Sequence, residues 1–361
     1  MTQRFAGCGR IQNTLEFIAH IQDAFPRVKN PDAARLGQAA QSAEAAGFDT
    51  VLIGYGSTRA ESWVVAANVL FHTKTLKALV AQRPGMIPPP LLARTASTLD
   101  MLSGGRVALN LVAGGSALEQ ARECDFVEHD ARYERAAECM ELAVRCWTET
   151  EEFAHEGKFF KAEGIVQEVK PATSGYPGLY VGGASPAGKD FAVRFADVYM
   201  LWGEPLADTR KRIDDMRQLA AKASRRPMHF SVSLRLIIGD TEAEAWEKAN
   251  ALVKNQNTLR LPGPADEKED VGRSRQIAFA KSGLVHDQRL WLGITAATGG
   301  LGATSALVGT ADQVADAIVE YIKLGVTRFQ LSSARGGLLD APPDFLPMLR
   351  KRGEAALAAS R

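Results

Sequence analysis

The sequence predicts an α/β fold, a (β/α)8 (TIM) barrel, as a single domain over residues 1–361. Short, almost continuously apolar segments alternate with longer segments of helical periodicity, and eight such apolar segments occur along the chain. Parallel strands covered by helices are apolar along their whole length, whereas half-exposed antiparallel strands alternate apolar and polar residues. The number of strands and their alternation with helices favour a closed barrel over a doubly wound sheet.

The first part of the chain repeats a strand and helix unit. A strand is predicted over 14–22 and a helix over 31–49, which Gly47 is expected to end. The other units follow the same order. Further strands are predicted at 50–55, 76–82 and 106–112, and further helices at 61–73 and 90–105.

The second part is less regular. The pattern predicts a helix near 131–149 and a hairpin within 153–171. Further helices are predicted from Pro186, over 207–224 and after Asp240, and further strands at 178–182, 197–202, 229–238 and 327–333. Residues 256–306 are polar or glycine-rich and too long for an ordinary connection, so they predict an extended insertion before the last βα unit, either a lid or a surface loop.

The composition excludes several classes of protein. The 43 basic and 42 acidic residues nearly cancel without a basic cluster, so a nucleic-acid partner is not expected. No run of 18 apolar residues occurs, so no membrane span is expected and the cytoplasm is the expected location. The four cysteines form no C-x-x-C pair, so neither a metal site nor a disulfide framework is expected.

Barrel enzymes carry their active sites at the carboxyl ends of the strands, so polar or aromatic residues at those positions are site candidates. No G-x-S-x-G, H-E-x-x-H or P-loop motif is present, which leaves chemistry carried by a cofactor. The strand-end candidates are His20, Tyr55, Arg59, Arg83, Asn110, Trp202, Glu204, Arg235 and Ser332-Ser333.

The segment YVGGASPAG is the best candidate for phosphate binding. Gly183 permits close approach of the backbone, Ser185 adds a hydroxyl, and the following helix presents its N-terminal amides. The alternative interpretation is a tight turn required only by packing.

Four other residues also have two interpretations. His20 is either a proton donor or ring contact or a core histidine, and Trp202 either lines an apolar pocket or fills the core. Arg83 and Arg235 either orient an anionic substrate and stabilise developing charge, or form internal ion pairs. The ion-pair partners considered are Glu61 and Glu204.

Several segments in order resemble a known family. PPPLLARTASTLDMLSGGRVALNLVAGG resembles the bacterial luciferase-like flavin monooxygenases. HDARYERAAE, HEGKFFKAEGI, YVGGASPAGKDFAVRFADVYMLWGEP, DTEAEAWEKA and ALVGTADQVADAIVEYIKLGVTRFQLS are similar to the alkanesulfonate monooxygenase branch of that family. The resemblance extends from about residue 34 to 350.

This resemblance implies a two-component monooxygenase. Reduced FMN from a separate NAD(P)H:flavin reductase would react with O2 and oxygenate a small organic substrate, sulfonated or otherwise sulfur-containing. The residues that correspond to the family's flavin contacts are Tyr55, Asn110, Glu119, Arg132, Tyr133 and Ser185, with Gly183 in the same loop as Ser185.

The chain departs from the alkanesulfonate branch where that branch binds sulfonate and carries out catalysis. Arg59 replaces a cysteine, Ser233 and Arg235 replace an Arg-x-His pair, Thr298 replaces an arginine and Ala334 replaces a tyrosine. Arg59, Trp202 and Arg235 are therefore the expected substrate contacts, and the substrate itself is left open.

Two other functions remain open at this stage. One is a deazaflavin (F420)-dependent oxidoreductase with the same fold, and the other is a non-catalytic flavin-binding protein. Barrels of this family usually pair, so a homodimer or homotetramer is expected.

Overall fold

The computed structural model describes residues 14–21, 32–114, 117–254, 271–300, 304–334 and 336–359. The strands are β1 Glu16–His20, β2 Thr50–Ile53, β3 Lys77–Gln82, β4 Val107–Leu111, β5 Phe153–Glu156, β6 Lys161–Ile165, β7 Gly178–Gly182, β8 Val198–Trp202, β9 His229–Ile238, β10 Val285–His286, β11 Leu290–Trp291, β12 Ala306–Gly309 and β13 Val326–Ser333. The helices are α1 Ala33–Ala45, α2 Ser62–His72, α3 Pro89–Ser103, α4 Ala117–Ala121, α5 His129–Thr148, α6 Pro186–Phe195, α7 Leu206–Lys222, α8 Glu242–Lys254, α9 Val271–Ser282, α10 Gly293–Thr298, α11 Ala311–Lys323 and α12 Phe345–Ala359.

Eight parallel strands close into a barrel in the order β1, β2, β3, β4, β7, β8, β9 and β13. The barrel closes because β13 pairs with β9 on one side and with β1 on the other. These are the eight strands predicted from the apolar segments. The predicted (β/α)8 barrel is therefore confirmed, and the hairpin predicted in 153–171 forms as β5 and β6.

Local sequence signals explain where the helices begin and end. The α3 helix begins at Pro89 and ends at Gly104, whose φ of 72° is the left-handed conformation that glycine adopts at low cost. Thr310 and Gln313 form a reciprocal capping box at the start of α11.

The barrel interior is apolar in the middle and polar at the amino ends of the strands. The buried apolar layer consists of Ile18, Leu52, Leu79, Tyr180 and Val198. At the end of the barrel where the strands begin, the Glu16 carboxylate accepts hydrogen bonds from the Thr50 hydroxyl at 2.5 Å and from the Tyr180 hydroxyl at 3.2 Å. Side chains therefore fill this end of the barrel interior, and the carboxyl ends of the strands are the place where barrel enzymes bind their ligands.

The predicted insertion at 256–306 is only partly described, since 255–270 and 301–303 lie outside the described residues. The described part contains α9, β10, β11 and α10, and it continues into β12. β12 pairs in parallel with the end of β9, and β11 pairs antiparallel with β12. β10 and β11 were not predicted because two residues are too few to show a period, and β12 was not predicted because it directly follows a glycine-rich segment. A role as a lid stays a prediction.

Among the described residues, no helix is both long and apolar enough to cross a membrane. Cys124, Cys139 and Cys146 are free thiols, and Cys8 lies outside the described ranges.

Candidate active site

Three predicted residues lie at the carboxyl ends of barrel strands, on the inner face. Side chains alternate between the two faces of a strand, so a residue two places after an inward-facing residue also faces inward. The inner cluster contains Ile18, Ala108 and Met200. The residues two places further along β1, β4 and β8 are His20, Asn110 and Trp202, and all three are partly buried.

Arg235 reaches the same end of the barrel from β9. Ser231 is aligned with the inward-facing Met200, and Ser233 is aligned with Trp202. Arg235 is the next inward position on β9, and its guanidinium donates a hydrogen bond to the carbonyl of Ala334 at 2.8 Å. Glu204, considered as its ion-pair partner from the sequence, is instead paired with Arg212 at 2.9 Å.

Of the five positions that depart from the alkanesulfonate branch, three lie together at the barrel end and two lie elsewhere. Ser233, Arg235 and Ala334 lie together at the ends of β9 and β13. Thr298 is the last residue of α10, and its hydroxyl donates to the Ile294 carbonyl at 2.8 Å. Arg59 is exposed beside Gly56 in the loop after β2.

A charged cluster follows β2 and β3. The Arg83 guanidinium, which is almost fully buried, lies 2.5 Å from a Glu123 carboxylate oxygen and 3.5 Å from one of Glu119. It also lies over the Tyr55 ring, 4.8 Å from the ring centroid. The ion-pair interpretation of Arg83 is correct, but Glu61 was the wrong partner. Two carboxylates therefore already neutralise Arg83.

The charges and hydrogen bonds of this cluster shift the pKa values of Glu119 and Tyr55. Burial raises the pKa of Glu119, but the hydrogen bond from the Ser57 amide at 2.9 Å and the positive charges of Arg83 and Arg122 outweigh burial and lower this pKa below 4.5. Burial and the hydrogen bond to Glu123 raise the pKa of Tyr55 to about 12. At neutral pH the Tyr55 hydroxyl is therefore protonated and donates to Glu123 at 3.0 Å.

A second cluster surrounds the start of α6, where the sequence predicted a phosphate site. Ser185 caps this helix, and its Oγ accepts a hydrogen bond from the Gly188 amide at 3.1 Å. A Cβ atom added to Gly188 would lie 3.0 Å from the Tyr133 hydroxyl and 3.1 Å from Ser185 Oγ. A Cβ on Gly183 would lie 3.4 Å from the same Tyr133 hydroxyl. We call Tyr133, the segment from Gly183 to Ser185, and Gly188 the phosphate cradle.

The backbone of the phosphate cradle offers hydrogen-bond donors. Gly183 has φ +144°, a conformation that side-chain-bearing residues rarely adopt. The amides of Ala184 and Ser185 donate to no acceptor within the described ranges of the chain. Two unused amides, two hydroxyls and the positive end of a ten-residue helix form a surface suited to a phosphate group.

Tyr133 and Arg132, predicted as a pair, occupy different surroundings. Successive residues on an α-helix point about 100° apart, and a flavin contact by Arg132 stays a prediction. The Tyr133 hydroxyl belongs to the phosphate cradle, whereas the buried Arg132 guanidinium donates to the Val127 carbonyl at 3.2 Å.

Sequence analysis missed Glu123 and Gly188. Glu123 lies four residues after Glu119, a spacing that would place both carboxylates on one face of a helix, although in the structure Glu123 lies in the turn after α4. Gly188 shows no such signal, because its importance depends on how closely Tyr133 packs against it.

Comparison with known proteins identifies the fold and the family. A family model described as luciferase-like monooxygenase matches residues 15–328. A riboflavin lyase solved with a modified FMN and its substrate riboflavin has a TM-score of 0.76 at 22% identity, with 94% of this chain and 92% of that chain covered. EDTA monooxygenase from Chelativorans sp. BNC1 has a TM-score of 0.72 at 20% identity, with 96% and 94% covered.

A third similar structure binds another cofactor. An F420-dependent secondary alcohol dehydrogenase, solved with an F420–acetone adduct, has a TM-score of 0.64 at 18% identity, with 96% of this chain and 99% of that chain covered. At these identities the solved structures show a shared fold, while the family model covers most of the chain. The chain belongs to the luciferase-like monooxygenase family.

Proposed function

We propose that this protein is a two-component monooxygenase that uses reduced FMN and O2 to oxygenate a small organic substrate. A separate NAD(P)H:flavin reductase would supply the reduced FMN. The observation that carries the proposal is the phosphate cradle, because it combines unused backbone amides, the hydroxyls of Tyr133 and Ser185 and a helix N-terminus at the carboxyl end of the barrel.

The residues present fit FMN. The phosphate cradle would hold the phosphate, and a Cβ atom at Gly188 would crowd the Tyr133 hydroxyl and Ser185 Oγ. Asn110, on the inner face at the end of β4, is placed to hydrogen-bond the ribityl chain or the ring. When bound, the reduced flavin supplies the electrons that activate O2.

The protein's own side chains then define the space for the substrate. His20 and Trp202 lie on the inner face of the barrel end, where the indole ring limits the access of water to the reacting groups. Tyr55 and the Arg83, Glu119 and Glu123 cluster form the side of the site next to β2 and β3.

Of the two arginines at the strand ends, Arg83 and Arg235, only one is assigned to an anionic substrate. Arg83 already has two carboxylate partners, so we do not assign it to a sulfonate. Arg235 lies at the barrel end beside Ala334, and we assign substrate contact to Arg235 and Trp202. The resemblance to the alkanesulfonate branch favours a sulfonated or otherwise sulfur-containing substrate.

The proposal predicts oxygenation that depends on both reduced FMN and the phosphate cradle. The protein is incubated with a flavin reductase, NADH, FMN, isotopically labelled O2 and a panel of small sulfur compounds, and products are detected by mass spectrometry. We expect label in a product, and we expect Ser185→Ala to weaken FMN binding about tenfold, since a hydrogen bond to a charged group contributes roughly 1.5–3 kcal/mol.

Thr310→Ala is the matched control, because it removes an equivalent helix cap on α11, outside the site. Failure to bind reduced FMN would contradict the proposal, and tighter binding of reduced F420 with hydride transfer would favour the oxidoreductase alternative. FMN binding without a labelled product across the panel would favour a non-catalytic flavin-binding protein.

We also propose that a second copy of the chain packs against α2 and α3. Val64 and Phe71 are seven residues apart on α2, and their side chains are 71% and 62% exposed. On α3, Leu91, Met101 and Leu102 are also exposed. Large exposed apolar residues on two neighbouring helices favour this surface as the site of the expected homo-oligomer contact.

Phe71→Asp is expected to convert the oligomer into a monomer, because a carboxylate would be buried against apolar side chains in the interface. Light scattering coupled to size-exclusion chromatography measures the mass. Phe126→Asp is the control, since Phe126 is 79% exposed but lies between α4 and α5. A monomeric wild type, or an unchanged mass of the Phe71 variant, would contradict the proposed interface.

A further inference from the structure

A buried tyrosine forms a hydrogen bond to the backbone of the phosphate cradle. Tyr199, on β8, is fully buried, and its hydroxyl donates a hydrogen bond to the carbonyl of Gly183. This contact joins the buried layer between the barrel and its helices to the loop between β7 and α6. Nothing in the sequence resemblance assigned a role to Tyr199.

The direction of this hydrogen bond is determined by a buried ion pair. Arg212, on α7, donates to the Tyr199 hydroxyl at 3.1 Å and lies 2.9 Å from the Glu204 carboxylate. A guanidinium can only donate, so the tyrosine oxygen must accept from it, and its single proton is directed to Gly183. Glu204 also binds Arg275 of α9 at 2.7 Å, which restrains its carboxylate further.

The orientation of the Gly183 carbonyl determines the orientation of the next amide. No cis peptide bond occurs in the described part of the chain, and in a trans peptide the C=O and N–H groups point in opposite directions. A carbonyl held toward Tyr199 therefore directs the Ala184 N–H away from the core. That amide is one of the two in the phosphate cradle that donate to no described acceptor.

We propose that Tyr199, held by Arg212 and Glu204, is a positioning residue that orients the Ala184 amide toward the phosphate of the cofactor. The inference rests on the proposed binding of FMN in the phosphate cradle. Tyr199 acts through the backbone of Gly183, and preorganisation of this donor reduces the cost of ordering the loop when the ligand binds. Its effect should therefore be confined to ligands that carry the phosphate.

The test compares two flavins that differ only in the phosphate. Dissociation constants for reduced FMN and reduced riboflavin are measured anaerobically for the wild type and for Tyr199→Phe, which keeps the ring and removes the hydroxyl. We expect the variant to bind FMN about five- to tenfold more weakly, the scale of one hydrogen bond, with riboflavin affinity unchanged within about twofold.

Tyr180→Phe is the matched control, because it removes another buried tyrosine hydroxyl, at the opposite end of the barrel, where that hydroxyl contacts Glu16. It should leave the affinities for both flavins unchanged. Equal weakening of FMN and riboflavin binding by Tyr199→Phe would indicate general loss of structure and overturn the inference, as would an unchanged FMN affinity. A wild type that binds the two flavins equally would refute the phosphate cradle itself, and the inference with it.

Discussion

Gly188→Ala is expected to reduce the affinity for reduced FMN by about 100-fold while the fold is retained. The added methyl group would lie 3.0 Å from the Tyr133 hydroxyl and 3.1 Å from Ser185 Oγ, the two side-chain groups assigned to the phosphate. Moving both hydroxyls by a few tenths of an ångström would weaken two hydrogen bonds to a charged ligand, each worth roughly 1.5–3 kcal/mol, and a combined loss of about 2.7 kcal/mol corresponds to 100-fold. An anaerobic titration measures the affinity.

The stability of the same variant separates a local effect from a global one. Alanine is favoured over glycine in a helix by about 0.8–1 kcal/mol, which partly offsets the crowding at Gly188, so we expect a change of less than about 1 kcal/mol in the free energy of unfolding. Gly37→Ala is the matched control, since an added Cβ at this helical glycine would crowd the His72 ring on the neighbouring helix. It should leave flavin affinity unchanged. A Gly188 variant that binds FMN as tightly as the wild type would contradict the phosphate cradle.

Arg83→Met is expected to lower the free energy of unfolding at neutral pH by about 3 kcal/mol, because removing one member of a buried ion pair leaves the remaining charge uncompensated. Here two carboxylates, Glu119 and Glu123, would lose their shared partner. Denaturant titration at pH 7 measures the loss. Arg122→Met is the control, since Arg122 also pairs with Glu119 at 3.1 Å but is 46% exposed, and exposed pairs contribute about 0–1 kcal/mol.

The loss should also depend on pH. The folded protein holds the pKa of Glu119 below its ordinary value of 4.5, so this carboxylate contributes stability above pH 4.5 that is lost as the pH falls through the lower, folded pKa. Arg83→Met removes part of that contribution. The difference in stability between wild type and variant should therefore decrease as the pH falls below about 4.5. A difference that stays constant or increases on acidification would show that the Arg83 contribution is not electrostatic.

Much of the fold was predictable because parallel strands buried on both faces leave a strong apolar signal. All eight barrel strands overlap their predicted ranges, and Gly47 follows the end of α1 as expected. Ser103 is the last residue of α3, two residues before the predicted end. The short strands β10 to β12 were not predicted, because they are stabilised by a chain of pairings, β10 with β11, β11 with β12 and β12 with β9, that only the folded chain brings together.

Candidate site residues could be predicted from the sequence where their position at the end of a strand was enough to select them. The strand-end rule and the family resemblance together selected Asn110, Trp202, Tyr133 and Ser185. Neither of them indicated the partners of Arg83, since Glu119 of α4 and Glu123 of the following turn approach Arg83 only in the folded chain.

The amino-acid sequence by itself determined the barrel, the family resemblance and the loop that would hold a phosphate. These features depend on local periodicity, on glycine at positions of special conformation and on short ordered motifs. Only the tertiary structure decided that Arg83 is neutralised, that Gly188 lies against Tyr133 and that Tyr199 holds the Gly183 carbonyl. Each of these contacts joins residues far apart in the chain, and their geometry exists only once the barrel has closed.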